Sequence, residues 1–269
     1  HKEYRRQRQM CIRDSIMFAS QFSSSNVASS LMSRQKVKHQ MSSAIGRSQS
    51  AKRSPVVVCN ADGQKSRIGL CGLAVMGQNL ALNVAEKGFP ISVYNRSADK
   101  TDGCVNRAEK EGLSSKLRGY KDLKEFVESI EKPRHIIILV KAGAPVDATI
   151  EGLSQFLEPG DCIVDGGNEW YENTERRMKE VQEKGLLYLG MGVSGGEEGA
   201  RNGPSMMPGG SEEAYKRIED ILKPVSAQTD TGACVTYVGK GGAGNFVKMV
   251  HNGICLLYTS PSPRDVEES

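Results

Sequence analysis

Short apolar runs alternate with longer amphipathic segments along most of this sequence, and each run is continuously apolar instead of alternating in polarity. The clearest run is Ile-Ile-Ile-Leu-Val at 136–140. Continuous runs of β-branched residues indicate strands that are buried on both faces, and the amphipathic segments between them indicate helices that cross from strand to strand. The pattern therefore predicts an α/β fold with a doubly wound, mainly parallel sheet.

Gly-rich or polar clusters follow directly after several of the predicted strands. Carboxyl ends of parallel strands lie at one edge of a sheet, where such folds bind their ligands, so we expect the clusters to form one site. The clusters are 72–77, 95–97, 141–143, 166–168 and 193–201. The predicted strands are 67–72, 90–94, 135–140, 161–165, 186–191 and 235–238, and the predicted helices are 76–87, 98–111, 121–130, 145–156, 171–183 and 212–222.

The charge of the chain is unevenly distributed. Residues 1–61 hold 11 Lys and Arg against 2 Asp and Glu, a net charge of +9, so residues 62–269 carry −5 and the whole chain +4. A mildly acidic body without a basic, aromatic-lined face argues against nucleic acid as a partner. No apolar run approaches the ~20 residues of a membrane span, so no membrane partner is expected. Seven Cys without a C-x-x-C pair, and four His, predict neither a disulfide framework nor a metal site.

The positive charge lies in a segment of unusual composition. Residues 15–61 contain 13 Ser and six Lys or Arg but no Asp or Glu. Such a segment cannot bury enough apolar surface to fold, and its composition is typical of organelle transit peptides. We expect residues 16–61 to be a disordered leader that directs the protein to the plastid (chloroplast) stroma; the alternative is a generic disordered tail on a cytosolic protein. Residues 1–15 and 255–269 resemble translated sequencing adapter, and we expect both to be foreign to the gene.

The first cluster has the spacing of a dinucleotide-binding turn, G-x-A-x-x-G, between a predicted strand and a predicted helix. The first Gly permits the tight turn, the Ala allows close approach to a pyrophosphate, and the last Gly lets helix and strand pack closely. The sequence thus predicts a Rossmann-like dinucleotide site, with a purely structural Gly turn as the alternative. The residues of this turn are Gly72, Leu73, Ala74, Val75, Met76 and Gly77.

The end of the second predicted strand indicates which dinucleotide is bound. Asn95, Arg96 and Ser97 stand where an NAD site has a carboxylate for the ribose hydroxyls. A guanidinium with two hydrogen-bonding neighbours suits a 2′-phosphate, which a carboxylate would repel. We therefore predict NADP as the cofactor; the alternative is that Arg96 is only a solvated charge at the start of a helix.

A Gly-rich segment later in the chain is a candidate for substrate binding. Residues 189–210 contain eight Gly, and Ser194, Gly195 and Gly196 follow a predicted strand. Glycines beside a Ser expose backbone N–H groups and a hydroxyl to an anionic, polyhydroxylated ligand. The alternative is that the segment is only a mobile loop.

A second candidate segment is the helix predicted over 245–254. Lys248, His251 and Asn252 are spaced i, i+3 and i+4, so they share one face of this helix. A Lys that is withdrawn from water is more easily neutral, and only the neutral amine can accept a proton. The segment therefore predicts a catalytic base, with a solvated Lys beside a capped His as the alternative.

Six motifs, in their order and spacing, resemble those of the 6-phosphogluconate dehydrogenases. They are GLAVMGQNLALN, VYNRS, LVKAG, DGGNEW, GVSGGEEGARNGPSMMPGG and GAGNFVKMVHNGI, and the similarity extends from residue 66 to residue 254. The wider β-hydroxyacid dehydrogenases share the Gly-rich turn, a similar Ser-Gly-Gly loop and a Lys, but not GEEGAR or KMVHNGI. The resemblance implies an NADP-binding domain over 62–240 and, over 241–254, the start of an all-helical C-terminal domain that is truncated here.

The resemblance also implies a role for each candidate residue. Lys248 would be the general base that takes the proton of the 3-hydroxyl of 6-phosphogluconate while a hydride leaves carbon 3 for NADP. The keto acid would then lose CO₂ and be protonated at carbon 1, giving ribulose 5-phosphate without a metal. His251 and Asn252 would complete the catalytic face. The implied cofactor residues are 72–77, 95–97, Val140, Lys141, Ala142 and Asn168, and the implied substrate residues are Asn168, Ser194, Gly195, Gly196, His251 and Asn252.

The sequence departs from the family after this helix face. The family's general acid is a Glu seven residues after the base, followed by a Tyr, whereas Cys255 and Leu256 stand here. The remaining C-terminal domain, which in the family completes the substrate site and makes most of the dimer contact, is absent. We therefore expect the full-length protein to be a homodimer and this chain to be inactive alone. The alternatives are a 3-hydroxyisobutyrate-type dehydrogenase and a non-catalytic NADP-binding module.

Overall fold

Residues 64–257 are described by this computed structural model, and of residues 255–257 only the backbone is described. The predicted leader, residues 1–15 and residues 258–269 lie outside the described residues. The strands are β1 (Ile68–Cys71), β2 (Ile91–Tyr94), β3 (Leu117–Tyr120), β4 (His135–Ile138), β5 (Cys162–Asp165), β6 (Leu187–Ser194), β7 (Ser205–Gly210), β8 (Gln228–Thr229) and β9 (Gly232–Ala233). The helices are α1 (Val75–Glu86), α2 (Ala98–Lys110), α3 (Leu123–Glu128), α4 (Ala144–Ser154), α5 (Tyr171–Gln182), α6 (Gly196–Asn202), α7 (Glu212–Val225) and α8 (Ala243–Leu257).

The main sheet has seven strands in the order β3-β2-β1-β4-β5-β6-β7. Neighbouring strands are parallel throughout, except that β7 runs antiparallel to β6. Leu70 of β1 pairs with Val93 of β2 on one side and with Ile137 of β4 on the other. The strand order reverses between β1 and β4, which is the topological switch point of a doubly wound sheet. The predicted fold class is confirmed.

Two apolar cores cover the two faces of this sheet. Ile137 belongs to the core that contains α1, α2 and α7, whereas its neighbours Ile136 and Ile138 belong to the core that contains α3, α4 and α5. All three Ile side chains are at most 1% exposed. Each contributes roughly 1.5–3 kcal/mol by burial, which explains why the run contains no polar residue. None of the helices within the described range is long and apolar enough to cross a membrane.

The prediction of a strand at 235–238 is wrong. Val235 forms only an isolated parallel bridge with Met206 of β7. The N–H of Val238 donates to the carbonyl oxygen of Pro208 in β7 at 2.9 Å. Because Pro208 has no N–H to donate in return, this segment lies extended beside β7 without a continuous ladder.

Elements without a predicted counterpart are β3, β7, α6 and the short hairpin of β8 and β9. Their sequences carry weak local signals: β3 reads Leu-Arg-Gly-Tyr, and β7 contains Pro and two Gly. Gly and Pro are depleted in strands, and pairing with β2 and β6 stabilises β3 and β7 instead. Helix α8 also extends beyond the predicted range 245–254 at both ends.

Helix α8 lies unusually close to β6 and β7 because glycines meet at the contact. A Cβ atom added to Gly244 would collide with the carbonyl oxygens of Gly190 in β6 and Met207 in β7. A Cβ atom added to Gly192 would lie 2.6 Å from the Cβ of Lys248. The close approach of α8 to β6 and β7 therefore requires glycine, which has no side chain, at these positions.

Replacement of Gly244 by Ala should destabilise the fold, because the added methyl group meets backbone atoms that cannot rotate away. We expect Gly244→Ala to lower the free energy of unfolding by about 1–3 kcal/mol, the range for overpacked sites, measured by urea denaturation. Gly253→Ala in the same helix is the matched control, because nothing lies within 4 Å of its added Cβ atom. Equal stability of the two variants would contradict the close-packing interpretation.

Candidate functional site

The turn after β1 presents open backbone N–H groups at the start of α1. Gly72 has φ +103°, and a Cβ atom there would lie 2.5 Å from the carbonyl oxygen of Leu139. A Cβ atom on Gly77 would collide with the carbonyl oxygen of Gly72, so both glycines are required by the turn. No side chain caps α1 at Ala74, and the first turn of the helix contains no acidic residue. An uncapped helix N-terminus of this kind suits a phosphate group.

The loop after β2 is tied to this turn and carries an exposed cation. Asn95 accepts a hydrogen bond from the backbone N–H of Leu73 at 2.9 Å and donates to the carbonyl oxygen of Ser97 at 3.2 Å. Arg96 and Ser97 are exposed, and Ser97 is the N-cap residue of α2 without a capping side-chain bond. A guanidinium and a hydroxyl therefore stand together at the end of β2, where a phosphate ester could bind.

The loops after β4 and β5 are joined by the buried side chain of Arg177 in α5. Its guanidinium contacts both oxygens of Asp147 at 2.7 and 3.0 Å and Glu169 at 2.5 Å, and it donates to the carbonyl oxygen of Gly143 at 3.1 Å. Glu169 in turn accepts hydrogen bonds from the N–H of Gly143 at 2.9 Å and from the side chain of Asn173 at 3.0 Å. These contacts hold the segments that carry the predicted residues Val140, Lys141, Ala142 and Asn168.

The charges of this network are stabilised by its hydrogen bonds. Burial alone would raise the pKa of Glu169, but hydrogen bonds from Asn173, Gly143 and Arg177 together lower the pKa to about 2. Hydrogen bonds from Arg177 lower the pKa of Asp147 to about 2 as well. Both carboxylates are therefore ionised at neutral pH and remain paired with the guanidinium.

Asn168 is exposed, and its two neighbours, Gly167 and Glu169, are fixed by hydrogen bonds to buried groups. On one side, the N–H of Gly167 donates to Asp165 at 3.0 Å, and the carbonyl oxygen of Gly167 accepts from the side chain of Asn245 at 3.3 Å. On the other side, Glu169 is buried in the network described above. The position of Asn168 is thus determined by its neighbours, which leaves its amide available to a ligand.

The Gly-rich segment after β6 is docked onto α1. Gly195 and Gly196 are exposed and have positive φ angles of 125° and 62°. Helix α6, which begins at Gly196, contacts α1 through Glu197 with Asn79 at 3.4 Å and through Arg201 with Glu86 at 2.5 Å. The predicted substrate loop, which begins at the half-buried Ser194, therefore lies beside the helix that begins at the dinucleotide turn.

Helix α8 brings Lys248 to the end of β6. Lys248 is 7% exposed, and its Nζ atom donates a hydrogen bond to the carbonyl oxygen of Val193, next to Ser194. His251 and Asn252 are half-buried, and burial lowers the pKa of His251, so its imidazole is neutral at pH 7. A buried amine next to a Ser-Gly-Gly loop and a neutral imidazole can hold and move a proton.

The structure thus brings the predicted residues to one edge of the sheet, at the carboxyl ends of β1, β2, β4, β5 and β6. It adds Glu169, Arg177 and Asn245, which the sequence analysis did not single out. Glu169 directly follows Asn168 in the DGGNEW motif, so the motif could have indicated it as a site residue. Arg177 lies in a highly charged helical sequence, which indicates only a solvated face. Among the described residues, no cluster of His, Cys, Asp and Glu could hold a metal ion.

A doubly wound sheet with a Gly-rich turn at its switch point defines a Rossmann-type dinucleotide-binding domain. Residues 67–239 match the family described as the NAD binding domain of 6-phosphogluconate dehydrogenase, and the chain belongs to that family. The resemblance that the motifs predicted is therefore confirmed.

Known relatives extend beyond this chain. Over 189 residues it is 75% identical to 6-phosphogluconate dehydrogenase, decarboxylating 1, of Spinacia oleracea and 69% identical to the chloroplastic decarboxylating 1 protein of Arabidopsis thaliana, with 70% of this chain and 39% of each relative covered. A Plasmodium falciparum 6-phosphogluconate dehydrogenase, solved in its apo form, with NADP⁺ and with 6-phosphogluconate, matches with a TM-score of 0.67 and 54% identity over 70% of this chain and 40% of that chain. The chain spans about two fifths of the length of these relatives.

Proposed function

We propose that this chain is the cofactor-binding part of an NADP-dependent 6-phosphogluconate dehydrogenase, which decarboxylates 6-phosphogluconate to ribulose 5-phosphate. The main observation behind this proposal is that three features lie at one edge of the sheet: an uncapped Gly-rich turn, the cation Arg96 and the buried amine of Lys248. Family membership supports the same activity. The full-length protein is proposed to be a homodimer.

The residues at the dinucleotide turn fit NADP. The open N–H groups of α1 suit the pyrophosphate, and Arg96 with Ser97 suits the 2′-phosphate, because no carboxylate stands at the end of β2 to repel it. Lys141, Ala142 and Asn168 would contact the cofactor farther along the sheet edge. When bound, NADP⁺ supplies the acceptor for the hydride that leaves carbon 3.

The chain's own residues supply binding and proton transfer. Lys248 would take the proton of the 3-hydroxyl, since its Nζ atom is buried at the end of β6 beside the Ser-Gly-Gly loop and a neutral amine can accept a proton. Ser194, Gly195 and Gly196 would bind the sugar acid through a hydroxyl and backbone N–H groups, and His251 and Asn252 would donate or accept hydrogen bonds on the same helix face. Asn168 would contact both cofactor and substrate.

Position 255 bears on whether this chain turns over substrate by itself. It lies in α8 seven residues after Lys248, roughly 10 Å along the helix axis, and so could serve the other end of a three-carbon reacting unit. The residue there is Cys255, and a thiol is a much weaker acid than a carboxylic acid. We therefore propose that the 269-residue chain binds NADP but does not decarboxylate 6-phosphogluconate.

Cys255 would also permit a second candidate function, a non-catalytic NADP-binding module. Binding of NADP without turnover, even after the downstream sequence of the relatives is appended, would support it. A 3-hydroxyisobutyrate-type dehydrogenase is disfavoured by GEEGAR and by the pair His251 and Asn252. Turnover of 3-hydroxyisobutyrate in preference to 6-phosphogluconate would reverse that choice.

Localisation in the plastid is also a proposal. Several relatives that are 67–69% identical carry chloroplastic names, and the acid-free, Ser-rich composition of residues 16–61 supports the same compartment. The alternative is the cytosol.

Charge reversal at Arg96 should abolish the preference for NADP. Arg96→Glu is expected to weaken NADP binding by about 2–4 kcal/mol, because it removes a charge-assisted hydrogen bond and adds repulsion, while NAD binding changes little. Calorimetric titration of both nucleotides measures this difference. Lys110→Glu, the same charge change at the far end of α2, is the control and should bind like the parent. Equal affinity of the parent for NAD and NADP would contradict the assignment.

Catalysis should require both Lys248 and the downstream sequence. The 269-residue chain should form no NADPH from 6-phosphogluconate, and a chain with the relatives' sequence from position 255 onward should be active. Lys248→Met in that longer chain should lower turnover at least about 100-fold, as loss of a general base does. Lys240→Met is the control, because Lys240 is exposed in the loop before α8. Activity of Lys248→Met near that of the control would remove the base role.

A reporter fused to residues 17–61 should enter isolated plastids and become resistant to external protease. Replacing two of the Lys or Arg residues of this segment by Glu should reduce import, because acidic residues are rare in transit peptides. Retention of the unaltered fusion outside the organelle would favour the cytosolic alternative.

A further inference from the structure

We propose that Arg177, paired with Glu169, is a positioning residue. It holds the loops after β4 and β5 in the geometry that the nicotinamide half of NADP needs. This inference rests on the proposed binding of NADP. It assigns a role to a guanidinium that contacts none of the residues expected to touch the cofactor directly.

Gly143 is the point at which the network controls the loop after β4. Its N–H donates to Glu169 at 2.9 Å, and its carbonyl oxygen accepts from Arg177 at 3.1 Å. Both peptide groups around Gly143 are thus held from the protein interior, at a φ of +90° that only Gly adopts readily. Since Lys141 and Ala142 come directly before it, their backbone cannot rotate independently of the Arg177–Glu169 pair.

Glu169 controls the loop after β5 in the same way. Besides the guanidinium, its carboxylate accepts hydrogen bonds from the backbone N–H of Trp170 at 2.9 Å and from Asn173 at 3.0 Å. Asn168 directly precedes Glu169 and is exposed, so the buried pair sets the position of its backbone. The ion pair between Arg177 and Glu169 therefore connects the loops after β4 and β5, which carry the predicted cofactor residues on that side of β1.

The chemistry of the network requires Arg and not merely a positive charge. The guanidinium reaches Asp147, Glu169 and Gly143 at once through three nitrogen atoms in a fixed plane. A Lys ammonium is a point charge on a flexible chain and cannot span these partners with the same geometry. Burying such a pair gains little stability over an apolar packing of similar volume, so its value lies in the geometry that it imposes.

The switch point divides the expected contacts of NADP between two sets of loops. Its adenosine half, with the 2′-phosphate, would lie at the end of β2 beside Arg96, whereas its other half would lie at the ends of β4 and β5. Arg177 acts only on the second set. Its loss should therefore weaken whole NADP but not adenosine 2′,5′-bisphosphate, which contains the adenosine half alone.

The test is calorimetric titration of the full chain with NADP and, separately, with adenosine 2′,5′-bisphosphate. Arg177→Lys should raise the dissociation constant for NADP by about 10–100-fold, by analogy with the loss of outer-shell partners of metal ligands, and leave that for the bisphosphate within about twofold. Arg176→Lys is the matched control, because Arg176 is the adjacent residue, also contacts Asp147, and has a side chain that is 46% exposed. It should bind both ligands like the parent.

Glu169→Gln serves as the second variant, since it keeps the size of the side chain and removes the charge. It should show the same selective loss of NADP affinity, with the far-ultraviolet circular dichroism of the parent. Equal weakening of both ligands, no weakening of either, or loss of folding in both variants would overturn the proposal. Failure of the parent chain to bind NADP at all would instead contradict the proposed function on which it rests.

Discussion

The parallel pairing of β1 with β2 on one side and β4 on the other is the contact on which the rest of this structure depends. Parallel neighbours can be joined only by crossovers, so helices must cover both faces of the sheet and all carboxyl ends must lie at one edge. Because the strand order reverses between β1 and β4, the loops that follow them diverge and leave a crevice. The Gly-rich turn of Gly72 opens at that crevice, and the loops after β2, β4, β5 and β6 line the same edge.

A site built from separate loops needs internal connections, and this chain supplies them with polar side chains. Arg177 and Glu169 join the loops after β4 and β5, and Asn245 joins the second of these to α8. Arg201 joins the Gly-rich segment to α1 and to Glu111, just beyond α2. Arg177, Glu169 and Asn245 are buried, and such groups are costly to bury unless their partners are in place, so these contacts stabilise one another.

Glycine contacts give the catalytic helix its position. α8 approaches β6 and β7 so closely that Gly244, Gly190 and Gly192 have no room for a side chain. This approach brings the amine of Lys248 to the carbonyl oxygen of Val193 and withdraws it from water. In the sequence, Gly190 and Gly192 belong to the Gly-rich segment 189–210, which suggested ligand contact and not helix packing.

The sequence by itself determined the parallel sheet, the edge at which the loops gather and the family, because continuous apolar runs and Gly spacing are local signals of buried strands and tight turns. It did not determine β3 or β7, whose Gly- and Pro-containing sequences form strands only where β2 and β6 offer a ladder, and it wrongly predicted a strand at 235–238. The tertiary structure alone decided that Arg177 is buried, since Arg in a charged helix is normally solvated and only the approach of Asp147, Glu169 and Gly143 stabilises its burial. Asp147, Glu169 and Gly143 lie 30, 8 and 34 residues from Arg177 along the chain, and no local spacing in the sequence encodes their meeting.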